Sequence, residues 1–138
     1  MRYFLDTNIF LRRLVYGAKK DSLECDKVFK RAEKGEIMLV TAGIVLAEIA
    51  WILSSIYKES RTKISEILES ILSIRGLEII DDYDYATAVR LYKKSSIKYI
   101  DAVIASIRQI VDREWSLVSY DTDFKKLSVK WLLPGDVI

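Results

Sequence analysis

Five carboxylates stand where a folded chain can bring them together. Asp6 directly follows the apolar run Tyr3-Phe4-Leu5, Glu48 sits inside an apolar segment, and Asp101 follows Ile100. Asp121 and Asp123 share the stretch Val118-Ser119-Tyr120-Asp121-Thr122-Asp123-Phe124. Acids crowded into one crevice repel each other, so such a cluster makes sense chiefly around hard cations such as Mg²⁺ or Mn²⁺, which take oxygen ligands. A bound metal lowers the pKa of water enough to make it a nucleophile and stabilises the charge that builds on phosphorus. Phosphodiester hydrolysis is the reaction class this fits. The exclusions point the same way, because the chain has no histidine and one cysteine, Cys25. A Ser-His-Asp triad, a Cys-His pair, a histidine-based ribonuclease, a Cys/His zinc site and an internal disulfide are all ruled out. Carboxylates must carry the chemistry of any hydrolase built from this chain.

Taken singly, each acid has a plainer explanation. Asp6 precedes a helix, and aspartate is a favoured N-cap. Asp101 lies early in a helix, where it complements the helix dipole. Asp121 and Asp123 suit a turn. Glu48 is different, since Ile44, Val45, Leu46, Ala47, Ile49, Ala50, Trp51, Ile52 and Leu53 surround it in sequence. A buried carboxylate without a partner is costly. Its partner is either a buried Arg or Lys or a metal, and both remain open at this point.

The elements that must position these residues can be read from periodicity. Strands are expected at Tyr3 to Leu5, Ile37 to Val40, Leu77 to Ile80 and Trp115 to Val118, with a fifth at Val129 to Leu132. The Ile9, Phe10, Leu14 spacing predicts a helix closed near Gly17. A second, capped by Asp21 or Ser22, runs through Lys34 to a stop at Gly35, with Leu23, Val28 and Phe29 turned inward. Thr41 starts the helix that carries Glu48, and another from about Thr62 to Arg75 has Ile64, Ile67, Leu68, Ile71 and Leu72 at helical spacing and ends at Gly76. Helices are expected from Tyr83 to Lys94 and from Tyr99 to Val111, and Pro134 closes the ordered part. Strands alternating with helices imply a parallel sheet covered on both faces, a three-layer α/β/α sandwich. Asp6 and Asp121 then leave strand ends on the same side of the sheet, where such sheets bind ligands. The acids converge by topology.

With 138 residues, 51% of them hydrophobic, the chain suits a single domain over residues 1–138. Its 22 basic and 20 acidic residues leave a net charge of +2, which neither demands nor excludes a polyanionic partner. Leu39 to Tyr57 is long enough to cross a bilayer, but Glu48 at its middle argues for a helix inside a water-soluble fold. No secretory signal is readable, and a lone cysteine agrees with a reducing, cytoplasmic location.

The stretches Leu5-Asp6-Thr7-Asn8, Glu48, Tyr99-Ile100-Asp101-Ala102-Val103-Ile104-Ala105 and Ser119-Tyr120-Asp121-Thr122-Asp123-Phe124, in that order on those elements, together resemble the PIN domain. The short, undecorated chain is similar to VapC toxins of toxin–antitoxin pairs. The resemblance implies a PIN-like fold with a five-stranded parallel sheet and a Mg²⁺- or Mn²⁺-dependent endoribonuclease. It also implies a homodimer and a small antitoxin partner that blocks the site. Asp6, Glu48, Asp101 and Asp121 match the family's acidic positions, Asn8 and Ser119 its polar helpers, and Asp123 an outer or second-metal ligand. Arg12, Arg13, Lys98, Lys125 and Lys126 are candidates for contacts to RNA phosphates. Other readings remain. PIN nucleases of RNA maturation or quality control share the motifs, and a binding module with a structural ion would use the apolar helix of Leu46, Trp51 and Leu53 as its interaction face. A phosphoacceptor fits poorly, because Thr7 and Asn8 stand where its second acid belongs.

Overall fold

The computed structural model describes residues 1–15 and 20–137. Its strands are β1 (Arg2–Leu5), β2 (Met38–Thr41), β3 (Leu77–Ile79), β4 (Ser116–Val118) and β5 (Trp131–Leu132). Seven α-helices lie among the described residues: α1 (Thr7–Leu14), α2 (Lys20–Glu33), α3 (Gly43–Ser55), α4 (Arg61–Leu72), α5 (Tyr85–Lys94), α6 (Tyr99–Ala105) and α7 (Arg108–Val111). The five strands form one sheet in the order β3-β2-β1-β4-β5, and every pairing is parallel.

Successive residues of a strand point to opposite faces. Phe4 and Leu5 of β1, Leu39, Val40 and Thr41 of β2, and Ser116, Leu117 and Val118 of β4 are all buried, so the central strands are covered on both sides. That is the expected three-layer sandwich. The edge strands β3 and β5 are only half-buried or exposed, and both are short. The core gathers around the central strands, with Phe10 of α1 against Phe29 of α2 at 5.7 Å between ring centroids.

Several boundaries differ from the expectation, each for a local reason. The helix expected from Tyr99 to Val111 is two helices, broken at Ser106 and Ile107. Ile107 takes an extended ψ of 128° and is fully buried. The break frees the Ser106 carbonyl to accept from Asp84 N and turns Arg108 N toward Asp82 O, which ties the start of α5 to the end of α6. Thr41 does not start α3. It ends β2 and donates its hydroxyl to Leu5 O at 3.0 Å, while Ala42 is the N-cap residue. Helix α4 stops at Leu72, four residues before Gly76, and Leu72 is exposed. Gly76 serves close packing instead: at φ +83°, a Cβ there would lie 2.6 Å from Ala32 O. On α2, Leu23 points to solvent and Cys25 takes the inward position beside Val28 and Phe29. Pro134 begins a short 3-10 turn, Pro134–Asp136, and the chain stays packed through Val137, whose carbonyl accepts from Arg31. The expected closure of α1 near Gly17 and the side chain of Asp21 lie outside the described residues. Among the described residues no helix is long and apolar enough to cross a membrane.

Candidate functional site

From β1 the chain runs outward through β2 to β3, then crosses back to β4 and β5 on the other side. The switch in direction falls between β1 and β4, and the crevice beyond their carboxyl ends is where an open parallel sheet binds its ligand. Asp6 leaves β1 there and Ser119 leaves β4, joined by a hydrogen bond from Asp6 N to Val118 O at 3.1 Å.

Asp6 is 3% exposed, and its carboxylate is held from three sides. Oδ1 accepts from Thr7 N at 2.8 Å, and Oδ2 accepts from Ser119 Oγ at 2.7 Å and Asn8 Nδ2 at 3.2 Å. Asp6 is thus the N-cap of α1 and also a member of the crevice, so its plain and chemical readings coexist. Ser119 Oγ in turn accepts from Asn8 Nδ2 at 3.2 Å and from Asp121 N at 2.9 Å, while Asn8 Oδ1 accepts from Tyr120 N at 3.1 Å. Asn8 and Ser119 therefore sit between the two chain segments, as the motif match implies for polar helpers. One further anchor escaped sequence reasoning. Trp131 of β5 donates its indole N–H to Ser119 O at 3.0 Å. No sequence signal marks it, because the adjacency of β5 and β4 exists only in the folded sheet.

Asp101 enters from the first turn of α6, opposite Asp121 and Asp123. One carboxylate oxygen from each of these three lies within 4.8 Å of the others, a spacing that suits one bound cation. Asp101 is 3% exposed, and its Oδ2 is buried without a hydrogen-bond partner. Burial raises its pKa to about 7, with the charges of Asp6, Asp121 and Glu48 adding to the rise and Lys98 opposing it. Burial likewise raises Asp6 to about 6, against the hydrogen bonds from Ser119 and Thr7, and the charges of Glu48 and Asp121 add to the rise. Five acids therefore share one electrostatic neighbourhood. Asp121 Oδ1 accepts from Asp123 N at 2.9 Å and caps the 3-10 turn Thr122–Lys126, so it too combines a turn role with the cluster.

Glu48 reaches this neighbourhood from α3, but not as a residue enclosed on every face. It is half-buried and lines a shallow depression with Ile44, Ala47, Trp51 and Ile100. Only the Val45, Ile49 and Leu53 side of α3 is buried, and Trp51 is exposed. An apolar stretch of sequence is not an apolar environment when one side of the helix faces outward. Among the described residues no Arg or Lys pairs with Glu48. The proposed interaction face of Leu46, Trp51 and Leu53 is likewise divided, with Leu53 in the core.

The basic candidates separate in space. The Arg12 guanidinium stacks on the Tyr120 ring at 4.4 Å from its centroid, one turn along α1 from Asn8. Arg13 pairs with Asp26 of α2 at 3.1 Å and lies over Phe29. Lys98 is the exposed N-cap residue of α6, and its charge is felt by Asp101. Lys126 pairs with Asp123 at 3.0 Å and donates to Ser96 O at 3.3 Å, a link visible in the i,i+3 spacing but not singled out from it. Lys125 lies 4.9 Å from the Trp131 ring centroid.

An all-parallel 3-2-1-4-5 sheet with carboxylates gathered at its switch point defines an α/β protein built around an acidic crevice. Residues 3–130 match the family model of the PIN domain, and the chain belongs to that family. No curated protein sequence matches it. Among solved structures it resembles "VapBC2 from Rickettsia felis bound to a DNA fragment from their promoter", with a TM-score of 0.72, 24% identity and coverage of 96% of this chain and 98% of that one. It also resembles PAE2754 from Pyrobaculum aerophilum, with a TM-score of 0.68, 13% identity and coverage of 99% and 92%. VapBC-1 from nontypeable Haemophilus influenzae gives a TM-score of 0.68 at 18% identity, with coverage of 97% and 98%. At these identities the likeness is one of fold.

Proposed function

We propose that this PIN-domain chain is a divalent-metal-dependent endoribonuclease and the toxin of a toxin–antitoxin pair, working in the cytoplasm as a homodimer with a small antitoxin partner. The observation that carries the reading is the buried, unpartnered Oδ2 of Asp101 beside Asp121 and Asp123. An acceptor left without a donor in so acidic a crevice asks for a cation. Two of the solved structures it resembles are VapBC proteins, which supports the toxin–antitoxin assignment.

Asp101, Asp121 and Asp123 would hold Mg²⁺ or Mn²⁺, with Asp6 and Glu48 completing the negative wall. The metal supplies the lowered pKa of water and the charge to neutralise a phosphodiester in attack. The chain's own residues do the positioning. Ser119 and Asn8 hold the Asp6 carboxylate, and because Ser119 Oγ also accepts from Asp121 N, one hydroxyl links the Asp6 and Asp121 arms. Lys98, exposed at the start of α6, would be the side chain to meet a phosphate, with Arg12 on the Tyr120 ring a second candidate.

Purified protein should cut single-stranded RNA with Mn²⁺ or Mg²⁺ and leave 5′-phosphate and 3′-hydroxyl ends, with an Asp6→Asn protein as control. Equal cleavage in excess EDTA, or cyclic phosphate ends, would overturn the reading. A PIN nuclease of RNA maturation shares this chemistry. Growth arrest on expression, relieved by the product of an adjacent small gene, separates the toxin from it.

A further inference from the structure

Asp121 and Asp123 are carried by the stretch between β4 and β5, and its first peptide is held by a side chain where backbone would ordinarily serve. The ladder between these strands runs from Leu117 N to Lys130 O at 2.7 Å and from Ser119 N to Leu132 O at 3.1 Å. In a parallel ladder the next bond comes from the N–H two residues further along the partner, residue 134, to Ser119 O. That residue is Pro134, which has no N–H to give. Trp131 supplies the missing donor, its indole N–H reaching Ser119 O at 3.0 Å. A two-residue edge strand thereby grips the Ser119 peptide at both its N–H and its carbonyl.

The same indole meets the far end of the stretch. Lys125 Nζ lies 4.9 Å from the Trp131 ring centroid, and Trp131 itself packs against the core. Between the two contacts stand Asp121, Asp123 and fully buried Phe124, which anchors the middle. Ser119 Oγ accepts from Asp121 N at 2.9 Å, and Asp121 Oδ1 accepts from Asp123 N at 2.9 Å. A displacement of the Ser119 peptide is therefore passed to both carboxylates, whose oxygens lie within 4.8 Å of each other and of one from Asp101. Cations differ in how much such a displacement matters. Mg²⁺ demands near-ideal octahedral geometry at about 2.0–2.1 Å, whereas Ca²⁺ accepts irregular coordination at about 2.3–2.6 Å.

We propose that Trp131 is a positioning residue of the metal site. By standing in for the donor that Pro134 lacks and by holding Lys125, it keeps Asp121 and Asp123 at a spacing from Asp101 that favours a small cation over a larger one. The inference rests on the metal site of the reading above and adds a determinant of ion preference that lies outside the acidic cluster.

Titration calorimetry of the full chain with Mg²⁺, Mn²⁺ and Ca²⁺ tests this without RNA. Trp131→Phe keeps a ring for Lys125 and removes the N–H. It should weaken Mg²⁺ and Mn²⁺ binding about tenfold, the scale of losing a partner that orients a metal ligand. Ca²⁺ binding should weaken less than about threefold, because that ion tolerates the displacement. Lys125→Met leaves the indole bond in place and should shift the ratio of Mg²⁺ to Ca²⁺ affinity in the same direction by a smaller factor. Trp115→Phe is the control for destabilisation alone. Trp115 is buried in the core, so its truncation should lower the melting temperature in EDTA and leave the ratio at the wild-type value. An unchanged ratio in Trp131→Phe, or an equal shift in Trp115→Phe, would overturn the inference. If Trp131→Phe does not fold, an unchanged ratio in Lys125→Met overturns it instead. A wild-type chain that binds none of the three ions would overturn the metal site, and the inference with it.

Discussion

At the residue scale, burial of Asp6 and Asp101 among other carboxylates makes the metal-free protein sensitive to pH in an uncommon direction. Asp6 and Asp101 titrate in the folded chain near 6 and 7, above their ordinary value of 3.8. The folded state therefore binds more protons than the unfolded state between these values, and the stability they contribute is lost as pH rises through about 6 to 7. In EDTA the melting temperature should fall as pH rises from about 4, the ordinary carboxylate value, to about 7, by on the order of 1.4 kcal/mol of stability per pKa unit. Asp101→Asn should flatten that slope and melt higher than wild type at about pH 8. A flat wild-type profile would mean that burial and the neighbouring charges do not raise these two acids in the folded chain. Saturating Mn²⁺ should reverse the slope, since a cation binds the deprotonated ligands. Glu48→Gln tests a different point. With no basic partner on Glu48 among the described residues, the stability of the variant should stay within about 0.5 kcal/mol of wild type, while metal-dependent cleavage falls strongly. A loss of about 3–5 kcal/mol would instead signal a stranded buried cation.

At the element scale, two glycines adopt the same left-handed backbone for different reasons. Gly35 closes α2 at φ +75° with open space around a hypothetical Cβ, whereas Gly76 at φ +83° lets the approach to β3 pass against the Ala32 carbonyl. Gly35→Ala should cost about 1–2 kcal/mol, the conformational penalty alone. Gly76→Ala should cost that plus about 1–3 kcal/mol of overpacking, because backbone must move. Chemical denaturation of the two variants checks the ordering, and equal losses would show that β3 is free to shift. The break between α6 and α7 belongs to this scale as well. An amphipathic run from Tyr99 to Val111 satisfies helical periodicity, yet the start of α5 needs the Ser106 carbonyl and the Arg108 N–H, and that tertiary demand ends the helix early.

For the whole molecule, metal and fold are linked thermodynamically. Mn²⁺ at a hundredfold excess over Kd should stabilise the wild-type chain by about 2.7 kcal/mol. Asp121→Asn should melt above wild type in EDTA and respond much less to the ion. Identical metal-induced shifts in the two proteins, read by calorimetry, would remove Asp121 from the site.

Strand order along the chain, the choice of a parallel sheet and the absence of histidine were legible in the sequence, because periodicity and composition are local properties. So was the set of acids: Asp6 and Asp121 each follow an apolar strand run, and a parallel sheet places such ends on one side. What the sequence could not decide was surroundings. Glu48 sits among apolar neighbours along the chain but is half-buried in space, since burial depends on which helix face another element covers. The grip of Trp131 on Ser119, the pairing of Lys126 with Asp123 and the unpartnered oxygen of Asp101 arise from contacts between distant segments or from the turn geometry the fold imposes.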